Sequence, residues 1–389
     1  MENEKSLVVL VPCADYERET VAAAVASGME LIEKSGRVAQ PEEKILLKPN
    51  LLRGADPEKA VTTHPAVLAG TIRYLQETGR TRLSCGDSPA SMAPERAAKL
   101  SGLSEIEAEF GVPEGDFSSC VRVDNPTGRV AKELMLSRAI LDSDALISIC
   151  KMKTHAMMRV TGAVKNSYGF IQGRNKTAGH VKYPGYDRFA AMLVDLNLYV
   201  RPRLYIMDGI VAMEGNGPAS GDPVQMGVLL FSRDPVALDS VFCRLINLEP
   251  KLVATNTLGE RCGLGNWHEE KIRLRTPDGP VTMEEAVGQY GRPDFHVYRG
   301  PARPKGIELM RSLLSPALSK PVIVKDRCVR CGVCVETCPV EGGAVTFADG
   351  REHPPVYDYK KCIRCFCCQE VCPQRAIEVN RPFRFKRQG

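Results

Sequence analysis

The cysteines are the residues of this sequence whose types and spacing point most directly to chemistry. The chain has 389 residues and 15 cysteines, and nine of the cysteines lie between Cys328 and Cys372. Residues 328–339 read CVRCGVCVETCP and residues 362–373 read CIRCFCCQEVCP, so both runs have the form C-x2-C-x2-C-x3-C-P. Three thiolates at this spacing bind one [4Fe–4S] cluster, and the fourth cysteine of each run binds the other cluster.

This crossed ligation predicts the members of two sites. The predicted ligands are Cys328, Cys331, Cys334 and Cys372 for cluster 1, and Cys362, Cys365, Cys368 and Cys338 for cluster 2. A lone C-x2-C pair would leave zinc as a serious alternative. Eight cysteines in two matched runs favour two [4Fe–4S] clusters instead, and Pro339 and Pro373 fix the backbone just after each crossing ligand.

The remaining cysteines need a separate explanation. Cys367 occupies a spacer position of the second run, where we interpret it as a small filler beside the cluster. The alternative is a replacement ligand after oxidative damage. Cys13, Cys85 and Cys150 lie near the ends of predicted strands, where buried cysteine is common, so we predict packing roles there. A shared substrate or metal site is the alternative.

The C-terminal segment resembles the bacterial two-cluster ferredoxin domain over residues 321–379. The stretches AVTF (344–347) and AIEV (376–379) follow the two runs at matching offsets, as the paired strands of that fold would. Residues 301–389 hold 16 Lys and Arg against 9 Asp and Glu, and the chain ends in RPFRFKRQG. A nucleic-acid patch is one interpretation. We favour cations that offset the negative charge of cluster thiolates, and we expect no nucleic-acid partner.

The first 300 residues have the pattern of an α/β domain. Apolar strand-like stretches alternate with helical ones, which indicates a mainly parallel sheet with right-handed crossovers. The predicted strands are residues 6–13, 44–50, 82–88, 144–150, 203–209 and 224–232, and the predicted helices are residues 19–36, 64–79, 188–200 and 235–246. We therefore predict a three-layer α/β domain over residues 1–300, a linker over 301–320, and a small α+β two-cluster domain with a basic tail over 321–389.

Composition and motifs exclude several classes of protein. Hydrophobic and charged contents of 43% and 25% are ordinary for soluble domains. The apolar run Leu7–Val11 is too short for a signal peptide, and no run approaches membrane-spanning length. We expect a cytoplasmic protein without a membrane partner. No NAD, flavin or ATP motif is seen, since neither a dinucleotide fingerprint nor a Walker motif is present, so electrons would follow a cluster-only path or use a cofactor that leaves no such motif.

Polar residues follow several of the predicted strands. In open parallel sheets, ligands bind beyond the carboxyl ends of the strands. Lysines there are costly unless they meet water or an anion, so we predict a site for a small anionic substrate. The alternative is a set of exposed loop lysines. The predicted substrate-binding residues are Lys48, Asn50, Asp87, Ser88, Lys151, Thr154, Asp208, Glu214 and Asn216.

Four residues are predicted to act on the substrate. His155 suits a general acid, because the reference pKa of histidine is about 6.5, although a structural histidine is an equal alternative. Lys165 and Asn166 could donate hydrogen bonds to a substrate oxygen or an enolate, and Lys153 completes the set. The glycine-rich loop 208–223, which carries Glu214 and Asn216, would allow close approach to a ligand or to the cluster domain. A tight surface loop is the alternative.

Several motifs of the first 250 residues together resemble one known family. They are KPN (48–50), GDS (86–88), KMKTH (151–155), TGAVKNSYG (161–169), DGIVAMEGNGP (208–218) and DPVALD (234–239). In this order they resemble the domain of unknown function 362 family over roughly residues 6–250. With the cysteine runs, the chain looks like the ferredoxin-fused members. The resemblance implies this architecture and leaves the substrate open, because such members are usually labelled only as iron–sulfur or ferredoxin-like proteins.

Three functions fit these observations. The first is an oxidoreductase in which the clusters pass electrons to a small anion held by the α/β domain. The second is an electron carrier or docking subunit without chemistry of its own, and both would need a soluble electron donor or acceptor protein. The third is a non-redox enzyme whose clusters serve structure or oxygen sensing. We favour the first, because two clusters can hold the two electrons of one reduction.

Overall fold

A computed structural model describes residues 5–89, 92–300 and 319–381. The predicted linker, 301–320, lies outside these ranges except for its last two residues. The basic tail beyond Arg381 also lies outside them.

The larger domain contains eleven strands and eleven helices among the described residues. Its strands are β1 (Ser6–Pro12), β2 (Ile45–Lys48), β3 (Leu83–Cys85), β4 (Cys120–Asp124), β5 (Glu133–Ser137), β6 (Ala145–His155), β7 (Arg159–Thr161), β8 (Leu204–Glu214), β9 (Asp222–Ser232), β10 (Ile272–Thr276) and β11 (Gly279–Val281). Its helices are α1 (Arg18–Glu33), α2 (Pro65–Glu77), α3 (Pro94–Leu100), α4 (Leu103–Phe110), α5 (Arg138–Leu141), α6 (Ala163–Asn166), α7 (Gly173–Lys182), α8 (Tyr186–Val200), α9 (Pro235–Leu245), α10 (Ala254–Arg261) and α11 (Met283–Tyr290).

Nine of these strands form one central sheet. The order is β11-β10-β1-β9-β8-β6-β2-β3, and β7 pairs with β6 beside this path. Six strands run in one direction, whereas β7, β9 and β11 run against them. Helices cover both faces. The predicted three-layer α/β domain with a mainly parallel sheet is therefore confirmed, and the remaining strands, β4 and β5, form a separate hairpin.

Alternation along the strands builds the two cores. In β1, Val9 and Val11 belong to the core beneath α1 and α2, whereas Val8 and Leu10 belong to the core beneath α9. Successive side chains of a strand point to opposite faces of the sheet, so a strand covered on both faces must be apolar throughout. Full burial of each such side chain contributes about 1.5–3 kcal/mol.

Two central strands are longer than their apolar stretches predicted. The sequence suggested strands over residues 144–150 and 203–209, but β6 continues to His155 and β8 to Glu214. The segment Lys151–His155 therefore lies within β6 and does not follow it. All five of its residues are buried. Polar side chains can continue an interior strand when other buried polar groups satisfy them.

The small domain is built around the two cysteine runs. Its elements are β12 (Lys320–Ile323), α12 (Val333–Glu336), β13 (Val345–Thr346), β14 (Val356–Tyr357), α13 (Cys367–Val371) and β15 (Ile377–Asn380). AVTF and AIEV both contribute strands, as predicted, but they do not pair with each other. β13 pairs with β14 and β15 pairs with β12, because each stretch finds its partner from outside the cysteine runs.

The described helices include none that combines the length and the apolar character needed to cross a bilayer.

Candidate functional site

A cleft opens where the carboxyl ends of β2, β3 and β6 meet the small domain. The space within it is about 680 Å³ when the solvent at its open mouth is included, and its walls come from both domains. We call it the interdomain cleft. Six of the residues that the sequence predicted for substrate binding or catalysis line it. They are Asn50, Asp87, Ser88, Lys153, Lys165 and Asn166.

Lys48 lies fully buried beneath the cleft and does not line it. Its Nζ atom is 2.9 Å from Asp87 Oδ1, 3.1 Å from Asn166 Oδ1 and 2.7 Å from the backbone oxygen of the next residue. Three contacts use all the protons of an ammonium group. Asp87 also accepts backbone N–H bonds from Leu51 and Ser88. The Lys48–Asp87 pair is thus placed to hold Asn166 and the segment after β3, with no donor of Lys48 left for a ligand.

A glycine allows the chain to pass over this ion pair. A Cβ atom at Gly169 would lie 2.0 Å from Asp87 Oδ1 and 2.2 Å from Lys48 Cε, which no side chain could accommodate. Gly162 is constrained in the same way, since its Cβ would lie 2.0 Å from Asp239 Oδ1. These two contacts give a physical reason for both glycines of the TGAVKNSYG motif.

The short helix α6 between the two glycines carries Lys165 and Asn166 to the cleft. Asp239 caps its first turn by accepting backbone N–H bonds from Ala163 (2.6 Å) and Val164 (3.1 Å). Burial raises the pKa of Asp239 to about 7, although the two backbone bonds oppose that shift. The cap sets the start of the helix and, with it, the position of the two cleft residues.

Lys153 differs from the other buried lysines of the site. Its Nζ atom donates to Asn50 Oδ1 (2.6 Å) and to the backbone oxygen of Val61 (2.5 Å), and it forms no ion pair with any described residue. Burial holds the pKa of Lys153 well below its usual range, with Lys165 and Lys151 acting in the same direction and Glu370 and Asp87 opposing them.

Lys151 and Asp208 form a separate buried network and do not line the cleft. Lys151 Nζ is 2.7 Å from Asp208 Oδ2 and 2.8 Å from Tyr16 Oη. Tyr16 in turn donates to Asp208 Oδ1 (2.8 Å) and stacks on His64, whose backbone N–H also donates to Asp208. Both carboxylate oxygens of Asp208 are satisfied within this network. The structure therefore does not bring these two predicted residues to the other six.

His155 reaches the cleft through a residue of the small domain. Its Nδ1 atom accepts the backbone N–H groups of Met157 and Met158 (3.1 and 3.2 Å), so a neutral ring carries its proton on Nε2. Nε2 lies 3.1 Å from Oε1 of Glu370, which lines the cleft. Burial lowers the pKa of His155. Burial alone would raise the pKa of Glu370, but His155 and Lys165 hold it at about 2, so it is a carboxylate.

Three further predicted residues hold the glycine-rich loop against its surroundings. Thr154 bonds through its hydroxyl to two backbone groups of the loop. Asn216 donates to the backbone oxygen of Ile377 (2.9 Å) and accepts from Gln369 (2.7 Å), so it joins the loop to the small domain. Glu214 accepts a backbone N–H bond from residue 296 and does not line the cleft. The sequence suggested that this loop approaches a ligand or the cluster domain; the structure places the cluster domain next to it, and Pro218 of the loop also lines the cleft.

The sequence did not predict all the residues of the larger domain that line the cleft, and three of those it missed carry groups that bear on its chemistry. Tyr168, Lys176 and His180 line the cleft, and the Tyr168 hydroxyl donates to the backbone oxygen of Lys176 (2.6 Å). Burial lowers the pKa of Lys176 to about 7, with Asp87 opposing the shift, and it lowers that of His180 to about 4. His180 Nδ1 has no hydrogen-bond partner within the described part of the chain. The i, i+4 spacing of the two basic residues on α7 was the available signal.

The cysteines predicted for cluster 1 share one cavity. Cys328, Cys331, Cys334 and Cys372 all line it, and its empty volume is about 360 Å³. Cys372 Sγ also accepts the backbone N–H of Ala376 (3.3 Å).

The cysteines predicted for cluster 2 also lie together and accept hydrogen bonds on sulfur. Cys338 Sγ accepts the backbone N–H of Ala344 (3.3 Å), which matches the bond made by Cys372. Cys338 and Cys365 lie close enough to Cys362 to raise the pKa of its thiol beyond the effect of burial. Cys368 Sγ accepts the Tyr357 hydroxyl (3.2 Å). Thiols gathered in this way, with N–H and O–H donors on sulfur, fit iron–sulfur ligation.

The comparisons with known proteins can be set beside this geometry. The model of a family described as a domain of unknown function, DUF362, matches residues 45–244, which is about half of the chain. The chain belongs to this domain of unknown function 362 family. A 4Fe–4S dicluster domain matches residues 320–373. This DUF362 member is therefore an iron–sulfur, metal-binding protein with a ferredoxin-like electron-transfer domain.

Known relatives of this DUF362 protein carry little chemical information. A thylakoid-associated protein of Synechocystis sp. is 34% identical over 265 residues, which cover 66% of the chain and 79% of the relative. A lactate racemase apoprotein from Thermoanaerobacterium thermosaccharolyticum is 10% identical, with a TM-score of 0.39 over 61% of the chain and 56% of the racemase. A protein from Thermotoga maritima is 12% identical, with a TM-score of 0.33; the match covers 63% of this chain and 59% of the Thermotoga chain.

The small domain contributes the side of the cleft that sequence reasoning missed in this DUF362 member. Thr337, Cys367, Glu370 and Val371 line the cleft from within or beside the cysteine runs. Cys367 is buried, as expected of a filler, and it also faces the cleft. No local pattern marks these positions, because their importance depends on which surface of the small domain meets the larger one.

Proposed function

We propose that this protein is an oxidoreductase that delivers electrons to a small anionic substrate held in the interdomain cleft. One observation carries the proposal. Thr337 and Cys367 line the cleft, and each is the direct neighbour in the chain of a predicted cluster 2 ligand, Cys338 or Cys368. When bound, [4Fe–4S] clusters accept and release single electrons, and two of them can supply one two-electron reduction.

The cysteine geometry supports two clusters with crossed ligation. We assign Cys328, Cys331, Cys334 and Cys372 to cluster 1, and Cys362, Cys365, Cys368 and Cys338 to cluster 2. The shared cavity of the first set favours this assignment, since it combines three cysteines of one run with the last cysteine of the other. Cys338 and Cys372, the cysteines that cross to the other cluster, each accept one backbone N–H bond on sulfur. This shared environment supports the same role for both.

The charges of the cleft favour an anionic ligand. Lys165 and Lys176 line it, and its two lining carboxylates both have basic neighbours, since Lys48 offsets Asp87 from beneath and His155 Nε2 lies 3.1 Å from Glu370. His180 is 7% exposed and presents an Nδ1 atom without a partner among the described residues, so a ligand polar group would satisfy it. An oxyanion placed here would exchange its water shell for ammonium and imidazole groups that are already in position.

One group of the cleft suits proton exchange with a ligand, and a second residue lies behind the lining. Lys176 has a pKa of about 7, which suits an acid or base near neutral pH. His155 directs its Nε2 atom at Glu370, and of these two only Glu370 lines the cleft. We therefore propose Lys176 as the group that exchanges a proton with the ligand, and His155 as a positioning residue that orients Glu370.

The affinity of the cleft for anions should fall as the pH rises from about 6 to about 8. Lys176 is cationic below a pKa of about 7 and neutral above it, so the cleft loses one positive charge over this interval. Lys48, Lys165, Asp87 and Glu370 also act on its ammonium group. A lost charged hydrogen bond costs about 1.5–3 kcal/mol, but the cationic fraction of a group with a pKa of about 7 changes only about 10-fold between pH 6 and pH 8, so we expect a decrease of up to about 10-fold over this interval. Equilibrium dialysis with radiolabelled sulfate or oxalate would measure the decrease.

Two variants provide the control for this measurement. Lys176→Gln should bind the probes weakly at every pH and abolish the decrease, whereas Lys165→Gln should weaken binding and retain the decrease. Iron content and the visible spectrum should be unchanged in both. An unchanged pH profile in Lys176→Gln would contradict the assigned role of Lys176, and unchanged affinity in both variants would contradict the anion site.

The outer surface of the small domain favours a protein partner. Cys331 is exposed, and Val329, which lines the same cavity as Cys331, is 58% exposed; Val356 of the same small domain is 54% exposed. Such apolar residues beside an exposed cluster ligand suit transient docking of a soluble electron donor or acceptor protein. We propose that this partner meets the protein in the cytoplasm. The same surface favours the second candidate function, an electron carrier that has no substrate of its own.

A further inference from the structure

We propose that Lys153 is a nucleophilic lysine that forms a Schiff base with a carbonyl-bearing carboxylate in the interdomain cleft. This inference rests on the proposed function, because it uses the same cleft, and it narrows the substrate class to small 2-oxo acids and related compounds. A carboxylate group would contact Lys165 and Lys176, and the adjacent carbonyl carbon would meet Lys153.

Four lysines of the larger domain are buried; Lys176 is the one assigned above to proton exchange, and the other three show why Lys153 is singled out. Lys48, Lys151 and Lys153 are each exposed by 1% or less. Lys48 is 2.9 Å from Asp87 and Lys151 is 2.7 Å from Asp208, so each of these ammonium groups has a carboxylate partner. Lys153 contacts only neutral acceptors among the described residues, and of the three it alone lines the cleft.

The surroundings of Lys153 suit an uncharged amine. Burying an ammonium group without a carboxylate costs several kcal/mol, so such a lysine becomes neutral. A neutral amine has two N–H donors, which match Asn50 Oδ1 and the Val61 carbonyl oxygen, and one lone pair. Lys165 and Lys151 disfavour a further positive charge, while Glu370 and Asp87 oppose them. A lysine desolvated next to other cations is a known form of activated nucleophile.

The proposed step is balanced without an oxidant or a reductant. The Lys153 nitrogen attacks the carbonyl carbon, a C–N bond forms and the π bond of the carbonyl breaks, and one proton passes from the nitrogen to the oxygen to give a carbinolamine. The hydroxyl group then takes a proton from a lysine ammonium group of the cleft and leaves as water. The nitrogen loses its remaining proton to the same group, so amine and carbonyl become imine and water.

Reductive trapping tests this step on the full-length protein after anaerobic reconstitution. Glyoxylate and pyruvate would serve as probes with sodium cyanoborohydride at pH 7, followed by peptide mass mapping of every lysine. We expect a reduced adduct at Lys153 and none at Lys48 or Lys151. An exposed lysine is almost fully protonated at this pH, so labelling at Lys153 should exceed that at exposed lysines on the order of 100-fold. Uniform labelling of lysines, or none at Lys153, would overturn the proposal.

Two variants and one competitor separate this inference from the function on which it rests. Lys153→Arg keeps donors at the position but should lose the adduct, whereas Lys165→Arg keeps the charge and should retain it. Excess sulfate should suppress labelling at Lys153 and spare exposed lysines. Probe binding by dialysis without an adduct would overturn the Schiff base and leave the proposed reductase intact. The opposite result is also informative. If the adduct forms at Lys153 but no carbonyl-bearing carboxylate reoxidises the reduced clusters, the Schiff base would be supported and the proposed reductase activity contradicted.

Discussion

Replacing Asp208 by alanine should lower the free energy of unfolding of the larger domain by about 3–5 kcal/mol, because it leaves the Lys151 ammonium group buried without its partner. The same change removes the acceptor of Tyr16 and of the His64 backbone N–H. Denaturant unfolding followed by fluorescence of Trp267, the only tryptophan of the chain, would report on this domain.

A double variant distinguishes the lost pair from a general loss of packing. Lys151→Met combined with Asp208→Leu removes both charges and keeps much of the volume, and such replacements of buried ion pairs are often neutral. We expect the double variant to be more stable than Asp208→Ala. A cost below about 1 kcal/mol for Asp208→Ala would show that water or another group satisfies Lys151, in disagreement with the buried network.

Replacing Cys372 by alanine should remove about half of the iron, from about eight atoms per chain to about four. Cys372 is the last cysteine of the second run, but its sulfur shares a cavity with Cys328, Cys331 and Cys334 of the first. Loss of this one ligand should therefore release cluster 1 and leave cluster 2 in place. Iron and sulfide analysis, with electron paramagnetic resonance of the reduced protein, would measure the outcome.

Pairs of cysteine variants show which cluster is lost. Adding Cys331→Ala to Cys372→Ala should cause little further loss of iron, because both residues belong to cluster 1. Adding Cys365→Ala should remove the remaining iron, because Cys365 belongs to cluster 2. The reverse pattern would show that each run binds its own cluster and would refute the crossed assignment. Zinc in place of iron would refute the iron–sulfur assignment of that site.

The parts of the molecule that depend on local pattern could be predicted from the sequence. Each cysteine run is a pattern of twelve consecutive residues. The apolar periodicity that predicts each strand and helix is also contained in a short segment of the chain. Strands β1, β2, β6, β8 and β9 and helices α1, α2, α8 and α9 all lie where apolar periodicity placed them, apart from their exact ends. The antiparallel position of β9 between β8 and β1 could not be predicted, because periodicity does not define pairing.

The candidate site was only partly predictable for a related reason. Lys151 and Lys153 are two residues apart in β6 and look equivalent in the sequence. Long-range partners separate them, since Asp208 lies beside one and only neutral acceptors lie beside the other. Glu370 belongs to the cleft only because α13 packs against the larger domain. No single-chain pattern contains this information.

The central claim is that the interdomain cleft is where electrons reach a small substrate, and reoxidation of the isolated protein tests it most directly. The protein would be reduced photochemically under anaerobic conditions and mixed in a stopped-flow instrument with single small anions, including glyoxylate and pyruvate. The account predicts that at least one anion restores the oxidised visible spectrum at a rate that saturates with its concentration, and that Lys153→Arg abolishes this reaction. Reoxidation by a partner protein alone, with no response to any small anion, would contradict it.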